Sequence, residues 1–146
     1  ETAAVTGSHQ ITVQMDQLLS ETDFDAFDLL VLPGGMPGTL HLEDCDGLME
    51  QLDRFYSAGK WVAAICAAPQ IFGHRGYLKG RKATSFPSME KELDGAFVTH
   101  GAAEVDGNVI TGRGMGCAID FALKIIGCLI SEEEAAAQAE RIVYER

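Results

Sequence analysis

Positive charge is scarce in this chain of 146 residues: 11 lysines and arginines stand against 22 aspartates and glutamates, a net charge of −11. The basic residues are scattered rather than striped along one face, which argues against nucleic acid as a partner. Long apolar runs are missing as well. None approaches the ~20 residues that span a bilayer, so no membrane segment is expected and the protein reads as soluble and cytoplasmic. Cysteine is sparse, and Cys45, Cys66, Cys117 and Cys128 show no C-x-x-C spacing, so neither a zinc knuckle nor a disulfide framework is indicated. No repeat, linker or low-complexity stretch interrupts the sequence, and its length suits a single domain, residues 1–146, with a real core.

What is present alternates in period. "FDLLVLPGG" (27–35) is a continuous apolar run ending in Pro-Gly-Gly, and "KWVAAIC" (60–66) is a second that ends at a cysteine. Both read as strands buried on two faces. Between them Leu48, Met49, Leu52, Phe55 and Tyr56 recur at helical spacing, with Gly59 as the stop. "RKATSF" (81–86) and "GNVITGRG" (107–114) are further candidate strands, the second preceded by an Asp106-Gly107 turn. In "CAIDFALKIIGCLI" (117–130), Ile119, Ala122, Leu123, Ile126 and Leu129 form one helical stripe, and Ser131 caps a last helix opening with Glu132, Glu133 and Glu134. The alternation predicts an α/β fold with a largely parallel sheet.

In such a sheet, ligands sit outside the carboxyl ends of the strands, which directs attention to "PGGMPGT", "CAAP" and "TGRGMG". The stretch "AAICAAP" (63–69) surrounds one thiol with small residues where an apolar run stops. A strand that turns into a helix through a single strained residue tolerates only small neighbours, and this is the pattern of a nucleophile elbow. Cys66 would then open a helix over 67–74, where free N–H groups favour thiolate over thiol. From the pattern alone, a reactive thiol and an inert buried one remain equally open.

Taken together, "LLVLPGGMPGT", "VAAICAAP", "LKGRKATSFP" and "GNVITGRGMGCAIDFALKII" resemble the ThiJ/PfpI superfamily, in the branch of the parkinsonism-associated deglycase protein and its bacterial relatives. The likeness runs from about "VTGSHQITV" (5–13) to the final helix, with the motifs in the family's order. It implies a flavodoxin-like α/β/α sandwich and a cofactor-independent cysteine chemistry. By the same likeness Cys66 is the nucleophilic, oxidation-sensitive cysteine, and the N–H groups of Gly35 and Ala67 are the oxyanion donors. Gly34 lets the backbone approach closely, Arg113 lies near the site, and Phe86 and Pro87 line the pocket. Taken without the family, the glycines need mean no more than a tight turn, and Arg113 no more than a surface ion pair.

The departures narrow the chemistry. Family proteases carry histidine directly after the cysteine, whereas Ala67 stands here, so a peptidase dyad of that kind is absent. Phe86 precedes Pro87 where some members have histidine, which removes an obvious base and makes the pocket more apolar. No His-x-Glu follows "ITGRG", which rejects an amidotransferase, and Met115 replaces a common proline. His41, Glu43 and Cys45 alternate near a helix start without converging, so no metal site is expected. His9 and His74 read as surface residues, His100 as a solvated turn histidine, and Cys45, Cys117 and Cys128 as packing residues, with Cys117 nearest the site.

Relatives begin with a strand and helix bearing a "GFEE"-like segment whose glutamate contacts the cysteine. The sequence "ETAAVTGSHQ" aligns after the second strand, so about forty residues are expected to be absent by the usual size of such a domain. In strand order 2-1-3-4-5 the first strand lies inside the sheet, and a separate N-terminal segment of the same protein is expected to complete it. None of Glu1, Glu21 or Glu43 stands in the matching motif. The resemblance implies a glyoxalase or deglycase-type enzyme acting on small reactive carbonyls such as methylglyoxal. The alternative is a redox-responsive protective protein or chaperone working through oxidation of Cys66. A homodimer is expected in either case.

Overall fold

The computed structural model describes residues 3–7 and 9–145. Its main sheet has four strands in the order β3-β4-β8-β7. Strand β3 (Leu29–Leu32) lies parallel to β4 (Trp61–Ile65), with Leu29 opposite Trp61, and β4 lies parallel to β8 (Val109–Gly112), with Val62 opposite Val109. Only β7 (Ala103–Asp106) runs antiparallel, joined to β8 by the tight connection at Gly107. The expected mostly parallel sheet is present, and β7 is the strand that the sequence pattern left unread. Two short pairs stand apart from it: the hairpin of β1 (Ala4–Thr6) and β2 (Thr12–Gln14), and the parallel pair β5 (Lys82–Ala83) and β6 (Phe97–Val98). Of the "VTGSHQITV" stretch that forms the first hairpin, Ser8 lies outside the described residues.

Period-two alternation explains the three layers. On β4, Val62 and Ala64 join Leu52 and Phe55 of α2 (Asp46–Ser57) and Ile71 and Phe72 of α3 (Pro69–His74) in one core. Ala63, pointing the other way, meets Ile110 and Phe121 of α4 (Ala118–Leu129) in a second. All three β4 residues are fully buried, as a strand covered on both faces requires. The α4 layer stops short of β3: Val31, paired with Ala63, remains 47% exposed, and among the described residues no strand pairs with the outer edge of β3. A short helix not read from the sequence, α1 (Gly38–Glu43), precedes α2. No described helix is long and apolar enough to cross a membrane.

Two readings of the chain need correction. The stripe Ile119, Ala122, Leu123, Ile126 and Leu129 is not the face that α4 turns to the sheet; Leu123 is buried on the side of α5, Ile119 and Leu129 are exposed, and Phe121, Ile125 and Cys128 face the sheet. A helix that is apolar all round carries several stripes, and the rotation is set by Phe121 closing against Gly112, where a methyl group would fall 2.8 Å from its ring. Ser131 does cap α5 (Glu132–Arg141), accepting the Glu134 N–H at 3.1 Å, and Tyr144 beyond it donates to Asp120 of α4 at 2.8 Å.

The second correction concerns "RKATSF", of which only Lys82–Ala83 is strand. Residues 84–86 satisfy their backbone elsewhere. The Thr84 N–H donates to Thr111 Oγ1 at 3.0 Å, the Thr84 hydroxyl to the Gly101 carbonyl at 3.1 Å, and the Phe86 N–H to the Cys66 carbonyl at 2.8 Å. Thr84 and Thr111 are both buried. Thr111→Val would keep the shape and strand the Thr84 N–H, so we expect a loss of about 1–3 kcal/mol in urea unfolding. An unchanged midpoint would show that this bond does not hold the segment.

Candidate functional site

The site is built where β4 ends. Cys66 follows Ile65 directly and adopts φ +66°, a left-handed conformation that costs a non-glycine residue roughly 1–2 kcal/mol. Hydrogen bonds on both sides hold it there: its N–H donates to the Gly112 carbonyl at 2.9 Å, and its carbonyl accepts from Phe86 N–H at 2.8 Å. The Ala68 N–H closes the turn on Ile65 at 3.2 Å. The expected helix over 67–74 begins later than the sequence suggested, at Pro69, because 66–68 are spent on this turn. Cys66 is only half-buried, whereas Ala67 and Ala68 are fully packed.

The "PGGMPGT" loop lies directly on the elbow. A methyl group built on Gly34 falls 2.6 Å from Cys66 Cβ, 2.6 Å from the Ile65 carbonyl oxygen and 3.0 Å from the Ala67 nitrogen. Only glycine permits that approach. Gly35 turns with φ +94°, and its carbonyl is held by both the N–H and the hydroxyl of Thr39, each at 2.9 Å. Among the described residues, neither the Gly35 nor the Ala67 N–H donates to another protein group. The Met36-Pro37 peptide in this loop is cis. A cleft of about 360 Å³ runs along 34–38 toward His41 and the β1–β2 hairpin; Cys66 does not line it.

The remaining site residues converge from two other loops. Phe86 is half-exposed beside Cys66 and touches the Gly114 position, with Pro87 opening the 3-10 segment Pro87–Glu92. Arg113 follows Gly112, and its guanidinium donates to the His100 carbonyl at 2.8 Å and lies 3.9 Å from Glu90. Glu90 also meets His100 Nδ1 at 3.1 Å. His100 is therefore tied to the loop that carries Arg113, although its side chain is mostly exposed. This Glu90–His100 support was invisible in the sequence, because the three residues share no local spacing.

The other thiols sit differently. Cys45 borders an apolar cavity of about 640 Å³ between α1, α2 and the segment 15–24. Cys117 is half-buried just past "GRGMG" and is the N-cap residue of α4. Burial, with Glu132 adding to it, pushes the Cys128 thiol up from its ordinary range, which makes it a poor nucleophile. Of the carboxylates considered for the site, Glu1 lies outside the described residues, Glu21 is exposed in the 3-10 turn Leu19–Glu21, and Glu43 is bonded to His74. His74 is a surface residue, as expected, with its ring paired to that carboxylate.

A strained cysteine between a buried parallel strand and a helix, roofed by a glycine pair, defines a class: doubly wound α/β proteins with a cysteine elbow. The chain belongs to the DJ-1/PfpI family, whose model matches residues 1–127. It is 38% identical to DJ-1 homolog B of Arabidopsis thaliana over 90% of this chain and 30% of that protein. It is 40% identical to a deglycase of Pyrococcus abyssi over 75% of this chain and 66% of the relative. The oxidized DJ-1 of Toxoplasma gondii superposes with a TM-score of 0.93 at 32% identity, covering 100% of this chain and 80% of that one. The chain spans about a third of the length of the Arabidopsis relatives it matches. The fold is the flavodoxin-like α/β fold of this family.

Proposed function

We propose that the chain is the cysteine-bearing part of a cofactor-independent glyoxalase or deglycase-type enzyme acting on α-oxoaldehydes such as methylglyoxal. The observation that carries the reading is the left-handed Cys66 between the unused N–H groups of Gly35 and Ala67. The name of the archaeal relative, a deglycase, supports carbonyl chemistry. In the proposed reaction the Cys66 thiolate adds to the aldehyde carbon, and the oxygen becomes the oxyanion of a hemithioacetal that the two N–H groups receive. The aldehyde-derived proton moves to the neighbouring carbon, leaving a thioester. Water then cleaves the thioester to the hydroxy acid and releases the thiolate. Overall one water is added and no external oxidant is used. Arg113 flanks the product carboxylate, and Phe86 and Pro87 give the pocket an apolar wall.

The proton shift needs a base, and among the described residues no carboxylate is hydrogen-bonded to Cys66. We assign that role to a carboxylate on a segment of the same protein lying along the open edge of β3, where Val31 is left uncovered. Formation of D-lactate from methylglyoxal by the full protein tests the function; its absence with intact Cys66 would overturn it. The proposed assembly is a homodimer, in line with the exposure of Met115, Ile119 and Ile130 on and around α4. Light scattering at micromolar concentration is expected to give twice the mass of one chain, and a monomer would refute it.

A further inference from the structure

Three six-residue helical segments follow the three loops of the site: α1 follows Gly34–Gly35, α3 follows the Cys66 elbow, and the 3-10 segment follows Phe86. Their last residues are Glu43, His74 and Glu92. These three side chains meet. His74 Nδ1 lies 2.6 Å from Glu43 Oε1, and its Nε2 lies 3.3 Å from Glu92 Oε2. These side chains are part-exposed, but the elements behind them are packed closely: α3 and the 3-10 segment touch through backbone, where a methyl group on Gly73 would collide with the Glu92 carbonyl oxygen and fall 2.9 Å from the Asp94 nitrogen.

We propose that His74 is a positioning residue which, when protonated, ties the three site loops together at their far ends and, when neutral, releases one of them. The chemistry is that of the imidazole ring. A carboxylate only accepts hydrogen bonds, so both contacts require both ring nitrogens to donate, and only imidazolium does so. The neutral ring keeps one donor. The longer Glu92 contact is the one released, which frees the segment behind Phe86 and leaves α1 attached.

The charges around the ring agree with this. Glu43, and to a smaller extent Glu92, hold the His74 imidazolium above the ordinary histidine range, against the opposing effect of burial. His74 in turn, with Lys91, lowers Glu92. Lys91 is bound to the other Glu92 oxygen at 3.2 Å, and the next cation, Arg75, is engaged by Asp53 of α2. Because the folded-state value is raised, the stabilisation is complete below the unfolded value of about 6.5 and is lost as pH rises through the higher folded value.

The inference rests on the Cys66 site as read above, but its test needs no turnover. In the full protein carrying Cys66→Ser, which keeps the reactive thiol out of the reading, amide NMR is followed from pH 5 to 9. The Phe86 and Ala67 amides are expected to shift with the His74 midpoint, and this inflection is expected to vanish in His74→Gln. Glu92→Gln is expected to lower the His74 midpoint and silence Phe86, and it carries the same test if His74→Gln does not fold. Titration of His74 with no response at these amides, or an inflection that survives His74→Gln, would overturn the proposal.

Discussion

Cys66→Ser is expected to lower methylglyoxal turnover to D-lactate by about a thousandfold or more, roughly 4 kcal/mol of barrier. The substitution is nearly isosteric, so the elbow, its bonds to Gly112 and Phe86, and the Gly34 contact should all survive. What is lost is the thiol nucleophile; a serine hydroxyl needs an adjacent base, and the neighbouring Ala67 and Phe86 supply none. The measurement also separates the two classes of function. Turnover that depends on Cys66 supports the enzyme. No turnover in the unmodified protein, with Cys66 the first thiol converted to sulfinate by limiting peroxide, supports a redox-responsive protective protein. If Cys45 or Cys128 is modified first, the assignment of the elbow fails.

Gly34→Ala is expected to cost about 1–3 kcal/mol of stability by overpacking and at least about a hundredfold in turnover. The added methyl group meets Cys66 Cβ and the Ile65 carbonyl oxygen, each at 2.6 Å, and neither is the end of a flexible side chain that can swing aside. Either the loop lifts off the elbow or Cys66 leaves its left-handed conformation, and both outcomes separate the thiol from the Gly35 N–H. Gly38→Ala, four residues further on at the first position of α1, meets nothing within 4 Å and is expected to stay within about 0.5 kcal/mol of the parent in a urea melt. Equal effects of the two substitutions would show that close approach at Gly34 is not what the site requires.

Cys66 and its small neighbours were legible because an elbow constrains adjacent residues, and adjacency is what a sequence displays. Arg113 shows the limit. The family resemblance of "GRGMG" implied a place near the site for it, while its orientation depends on Glu90 and the His100 carbonyl, which lie in other segments. His74 is the stronger case. In the sequence it is a polar residue at the end of a short helix, and nothing local marks Glu43, 31 residues before it, or Glu92, 18 residues after it, as partners.

The sequence by itself determined the elements whose signal is local: the strands β3, β4 and β8, of which β3 is covered on one face only, the amphipathic α2, the Ser131 cap and the cysteine turn. Period, capping chemistry and residue size act over a few residues, so they survive without the fold. Tertiary structure alone decided that 84–86 would bond to Thr111 and Cys66 rather than form a ladder, and that α4 would turn Phe121 toward Gly112. It also decided that three distant helix ends would meet at one imidazole. In each case a donor or an apolar face had several partners of equal chemical merit, and only packing in three dimensions brought one of them within reach.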